Sequence, residues 1–138
     1  MIIEDIKKYF ETKCTVLGGK HININCLGKK IGSVSLKTVP CYETVKEYAD
    51  GGSLKQYVFD ISVRTAFDGD SAENTDTAVF MEKLKNWVSF DADAQAMEFS
   101  QEKAAPLEFE VLKTHGVSYS DRSGAEHSMR LRLIYEQK

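Results

Sequence analysis

Three runs of alternating apolar and polar residues crowd the first half of the chain: HININCL at 21–27, GSVSLKTV at 32–39 and SLKQYVFDISVR at 53–64. A repeat of two is the mark of a strand with one face buried and one face wet. The gaps between these runs are too short for the crossover helices of a parallel sheet, so the spacing predicts antiparallel pairing. In the first run Ile22, Ile24 and Cys26 share a face and the asparagines take the other, with Lys29 and Lys30 in the expected turn to the second. Pro40 ends the second run.

Residues 41–49, CYETVKEYA, admit two readings. Tyr42, Val45 and Tyr48 would line one face of a short helix, or the segment is a strand leading into Asp50-Gly51-Gly52. The strand is the better reading, because Asp-Gly before a β run is a strong hairpin signal and glycine supplies the positive φ such a turn needs. The hairpin then sets Tyr57, Phe59, Ile61 and Val63 on one face, and Gln56, Asp60, Ser62 and Arg64, with Val58, on the other.

Helical spacing appears twice. Ile2, Ile3, Ile6, Tyr9 and Phe10 form one stripe, with Glu4 and Asp5 in the first turn where the helix dipole favours acids. Phe80, Leu84, Trp87 and Val88 form the second, with Asn74 or Asp76 as the expected N-cap. Residues 91–106 read as a polar connection. After it, Leu107, Phe109 and Val111 alternate, DRSG at 121–124 turns, and Met129, Leu131, Leu133 and Tyr135 alternate again. The expected fold is a single α+β domain, 1–138, with an antiparallel (mixed) β-sheet and two helices packed on one face. Its element order is α-β-β-(β)-β-α-β-β.

A formal net charge of −3 speaks against a general nucleic-acid binder, which is usually basic. No segment approaches the ~20 apolar residues of a membrane-spanning helix, and the first residues lack the apolar run of a signal peptide, so a cytoplasmic protein is expected. Cys14, Cys26 and Cys41 are odd in number, and their spacing matches no zinc or redox motif. They read as small buried apolar side chains. His21, His115 and His127 belong to no metal motif and read as surface or hairpin residues. Asp68, Asp70 and Glu73 miss the spacing and mid-loop glycine of a calcium loop. No serine sits in a nucleophile elbow, and Gly51-Gly52 has no strand–loop–helix of a nucleotide site around it. No catalytic residue, cofactor or metal is therefore expected, and the chain reads as a non-enzyme.

Charges on the strands say more. Lys55, Arg64, Arg130 and Arg132 all fall within β runs. They form either a solvated outer face or a face that meets a neighbouring subunit, where arginine is enriched. On the second reading Arg64, Arg130 and Arg132 contact acidic groups of a neighbour, and the turn Asp50, Gly51, Gly52 with Lys55 joins the contact.

The opening MIIEDIKKYFET, the central YADGGSLKQYVFDISVRTAF, the helix FMEKLKNWV and the closing LRLIYEQK resemble, in that order and spacing, the minor capsid or tail terminator proteins of phages and prophages of Gram-positive bacteria. No single stretch is diagnostic; the ordered set carries the resemblance. The segment 39–49 departs from it, with one proline, Pro40, where the family has several. The resemblance implies a ring, of six copies by the family's habit, that caps a tail tube, stops its polymerisation and offers a platform to the neck. It implies as partners further copies of the chain, the tail tube and sheath or neck proteins, with no membrane and no sequence-specific nucleic acid. It implies assembly in the bacterial host cytoplasm and then a place in the virion or a headless tail-like particle. Another head–tail joining component, or a small ligand-binding α+β module, are the alternatives.

Overall fold

The computed structural model describes residues 1–25, 32–65, 71–121 and 124–138, and within these it leaves the side chains of 65, 71–77, 114–121 and 124–125 undescribed. Helix α1, Ile2–Lys13, buries Ile3, Ile6, Tyr9 and Phe10, the stripe that its spacing predicts. Strands β1 (Ile22–Ile24), β2 (Val34–Thr38), β3 (Thr44–Glu47) and β4 (Ser53–Thr65) follow, then helix α2 (Ser71–Asn86), and finally β5 (Ala104–Asp121) and β6 (Gly124–Gln137). The six strands make one mixed sheet in the order β1-β2-β4-β6-β5, with β3 also paired to β4. The fold class is α+β.

Alternation decides the two faces. Phe59, Ile61 and Val63 of β4 and Met129, Leu131 and Leu133 of β6 are buried in the core with Leu84, Trp87 and Val88 from the end of α2 and the turn after it. Tyr57 and Phe80 pack at its margin. The helical residues that enter the core thus lie on one face of the sheet. At the centre stands Phe10, with no exposed surface, in edge contact with Phe59, Trp87 and Phe109 at centroid distances of 6.2, 5.5 and 5.4 Å. Tyr9 stacks on Phe109 at 5.7 Å. Such pairs add roughly 0.5–1.5 kcal/mol each beyond the area they bury.

Several expectations are corrected. The first two strands pair in parallel, Ile22 beside Val34 and Ile24 beside Leu36, where an antiparallel turn at Lys29-Lys30 was expected. The tie to α1 explains the direction: the Ile22 N–H donates to Glu11 Oε2 at 3.0 Å, so β1 starts against the helix. Asn25, in the left-handed region at φ 56°, then turns the chain away. Lys29 and Lys30 themselves lie outside the described residues, as do Cys26, Asp68 and Asp70. Helix α2 begins at Ser71, so Asn74 and Asp76 lie inside it and neither is its N-cap. Its end widens into a π-helical turn, Trp87–Asp91, closed by the Ala92 N–H on the Trp87 carbonyl at 2.8 Å. That extra residue carries Trp87 and Val88 inward and leaves Phe90 exposed.

The polar connection after α2 is not a loose one. Ala94 and Met97 are buried, and a 3-10 turn spans Ala94–Ala96. Three contacts tie it to α1: the Asp93 N–H donates to the Tyr9 hydroxyl at 2.8 Å, the Ser100 N–H donates to Asp5 at 2.9 Å, and Lys8 pairs with Glu98 at 2.9 Å. Cys14 is buried as expected, whereas Cys41 is exposed, because it follows the Pro40 break rather than lying on a core-facing strand.

Two stability predictions follow from this packing. Trp87 is 6% exposed and contacts both Tyr9 and Phe10, so Trp87→Ala should lower the free energy of unfolding by about 3–5 kcal/mol in denaturant titrations followed by circular dichroism. His127, on the core side of β6 opposite Val63, has its pKa lowered from 6.5 by burial. A base lowered in this way binds fewer protons folded than unfolded. Its contribution is present above the unfolded pKa and is lost as pH falls through about 6.5. The denaturant midpoint should fall on acidification across that window, and His127→Gln should flatten this part of the profile.

Candidate assembly surface

Pro40 organises the edge of the sheet. β2 pairs with the C-terminal half of β4 and β3 with its N-terminal half, so the two short strands follow one another along the same side of one thirteen-residue strand. Between them the ladder continues at only two backbone points, the Val39 N–H to the Val58 carbonyl at 2.9 Å and the Gln56 N–H to the Glu43 carbonyl at 2.8 Å. A proline N cannot donate, so the strand breaks there.

Past the break, all four residues of β3 are exposed, as are Cys41 and Tyr42, the latter at 91%. The strand reading of this segment holds. A bulge at Val45 lies between the pairs Thr44–Lys55 and Lys46–Leu54. The turn that follows is closed by the Gly51 N–H on the Tyr48 carbonyl at 3.1 Å and the Tyr48 N–H on the Gly52 carbonyl at 2.8 Å. Gly51 takes φ 92°, a conformation that L residues rarely adopt. Asp50 accepts the Gly52 N–H at 2.9 Å, and a side chain on Gly52 would come within 3.3 Å of the Gln137 carbonyl. The Asp50-Gly51-Gly52 triplet is thus the tip of a hairpin set against the end of β6.

Lys55 shares the core-side alternation of β4, and its ammonium lies 3.6 Å from Glu43. The same carboxylate accepts the Tyr135 hydroxyl proton at 2.9 Å. Burial and this carboxylate raise the tyrosine pKa, burial contributing most.

The arginines of the outer face are engaged within the chain. Arg130 binds Asp60 in bidentate fashion, Nε to Oδ1 at 2.9 Å and Nη2 to Oδ2 at 3.2 Å. Arg132 donates Nε and Nη2 to Glu110 Oε2 at 2.9 and 2.7 Å, and Nη1 to Gln56 at 3.1 Å. Arg64 is not free either; its backbone bonds with Gly32 and Ser33 hold the entry to β2. The register explains the layout, since Asp60 sits directly opposite Arg130 and Glu110 opposite Arg132. Beneath them Ser35, Ser62 and Ser128 form a buried row across β2, β4 and β6. Their small side chains leave room for Lys37 to cross two rungs and reach Glu126 at 2.9 Å. Among the described residues Ser35 Oγ has no hydrogen-bond partner. A run of serines at matching register is the signal in the sequence that could have shown this row, but matching it needs the pairing first.

Among the described residues no three histidine, cysteine or acidic side chains stand together as a metal would require. His21 lies 3.2 Å from Glu11 at the start of β1, far along the chain and the sheet from His127 on β6. Compared with known proteins, the chain matches no family model, and no curated protein matches it significantly.

The pairs within the sheet change what a charge reversal does. Each pair at this exposure is worth roughly 0.2–1 kcal/mol, and reversal sets like charges directly opposite one another. Arg130→Glu combined with Arg132→Glu should therefore destabilise the isolated domain by about 1–2 kcal/mol in denaturant titrations.

Proposed function

We propose that this protein is a structural component of a phage tail or tail-like particle that forms a ring, caps the tail tube, ends its polymerisation and joins it to the neck. The observation that carries the reading is the exposed edge hairpin β3–β4. It is an ordered strand with every residue exposed, an unpaired outer edge among the described residues, and the aromatic ring of Tyr42 beside it. An open edge can pair with another chain, and the charges of Lys46 and Glu47 with the bulge at Val45 restrict which chain it accepts. The ordered resemblance of four stretches to the tail terminator family supplies the particle and the expected six-fold ring.

The rest of the domain suits such a part. The aromatic core and the strap of residues 92–103 over α1 make a stiff body, and stiffness lets a ring hold one diameter. The outer face is charged, with Arg130, Arg132 and Lys37 paired within the sheet, so among the described residues it offers no broad apolar patch. In the host the subunit would stay dispersed until a tube end offers repeated contacts.

The test is direct localisation. Particles assembled with the full set of tail proteins should show, in electron cryomicroscopy, a ring of this chain at the head-proximal end of the tube. Omitting the chain should give tubes of uncontrolled length. Density for it along the tube or at the distal end, or tubes of normal length without it, would overturn the proposal.

A further inference from the structure

Among the described residues the sheet has a second open edge, at β5, and we infer that β3 of one copy pairs with the edge of β5 of the next, so that the sheet continues from subunit to subunit. This rests on the ring-forming reading above and names the interface within it.

Strand direction is the first argument. β5 is antiparallel to β6, β6 to β4, and β4 to β3. β3 and β5 therefore run in opposite directions within one domain. A neighbour placed alongside with its sheet facing the same way brings its β3 antiparallel to β5, without the molecule being turned over. That is a head-to-tail contact, the kind that closes into a ring when the rotation between copies permits.

Shape is the second. Beside the β5 edge at 109–113 runs an open groove of about 440 Å³, walled on its far side by Lys85 at the end of α2 and Ser89 in the turn after it. Upstream of it Pro106 has no N–H to offer a ladder, so the accepting stretch is the one that faces the groove. Both edges carry a bulge that interrupts the existing ladder, at Val45 and at Leu112, and both bulged residues are exposed aliphatics.

Charge is the third, and it chooses the occupant. By register Glu47 of β3 lies on the core side of the sheet, opposite Ser53, and Lys46 on the outer side, opposite Leu54. Across the groove Lys85 stands on the core side, where α2 packs, and Glu110 on the outer side opposite Arg132. With core faces aligned, Glu47 meets Lys85 and Lys46 meets Glu110. Neither Glu47 nor Lys85 has an ion pair among the described residues, and Arg132 uses only Oε2 of Glu110, which leaves Oε1 for a neighbour. Charged, bulged edges reject arbitrary strands. A complementary pair of them accepts each other.

The test is a charge exchange read by sedimentation and by capping of tube ends. Glu47→Lys and Lys85→Glu should each weaken self-association about fivefold, the size expected when one exposed pair turns repulsive. The two together should restore it to near the parent value. In a second measurement, Lys46→Cys with Glu110→Cys, in a chain whose Cys26 and Cys41 are serine, should give a covalent ladder of multimers with a bifunctional maleimide. Rings from the parent chain without rescue and without the ladder would overturn this interface and leave the ring reading standing. A parent chain that neither self-associates nor caps tubes would overturn both.

Discussion

Phe10 is the point on which the layers meet. Its ring touches β4 through Phe59, β5 through Phe109 and the π-helical turn through Trp87. It therefore sets the distance of α1 from the sheet and the angle at which α2 ends. The aromatic cluster is unforgiving because interiors are packed to crystal density, and a ring removed there leaves a hole that rigid strands cannot fill. Everything peripheral depends on that fixed geometry. The strap of residues 92–103 finds its anchors on Tyr9, Asp5 and Lys8 only because α1 is held in place, and the Lys85 wall of the β5 groove is placed by the turn that Trp87 seats.

The second constraint is the length of β4. Thirteen residues of strand demand partners on both sides. β6 satisfies one side along its whole length, whereas the other side is divided between β2 and β3 by Pro40. β2 is covered in turn by β1, and among the described residues β3 is covered by no further strand. One imino acid thus separates a covered edge from an open one, and the open one is where the proposed assembly contact lies. The division also explains why Cys41 and Tyr42 face solvent in a region whose composition alone suggests burial.

On the outer face, charge serves the fold before it serves a partner. Asp60 with Arg130 and Glu110 with Arg132 are cross-strand pairs, and Lys37 with Glu126 is a diagonal one over the serine row. These pairs fix strand register, since a slip of one residue would turn every side chain to the wrong face and set the charges against apolar neighbours. A ring contact that also used these arginines would have to share them, which is why the edges, where Glu47 and Lys85 have no ion pair among the described residues, are the better place for it.

Periodicity determined both helices, five of the strands and the faces of β4 and β6, because a repeat of 2 or 3.6 is a local property of the chain, and the Asp50-Gly51 turn chemistry determined the hairpin. Residues such as Phe59, Trp87 and Leu131 therefore declared their burial in advance. The parallel pairing of β1 with β2, the strap of residues 92–103 and the partners of Arg130 and Arg132 were decided only by tertiary structure. Each of these joins residues far apart in the chain, as Glu11 to Ile22, Tyr9 to Asp93 and Arg130 to Asp60 do. A charged side chain on a strand shows its face but not its partner, because the partner belongs to whichever strand the whole sheet has set beside it.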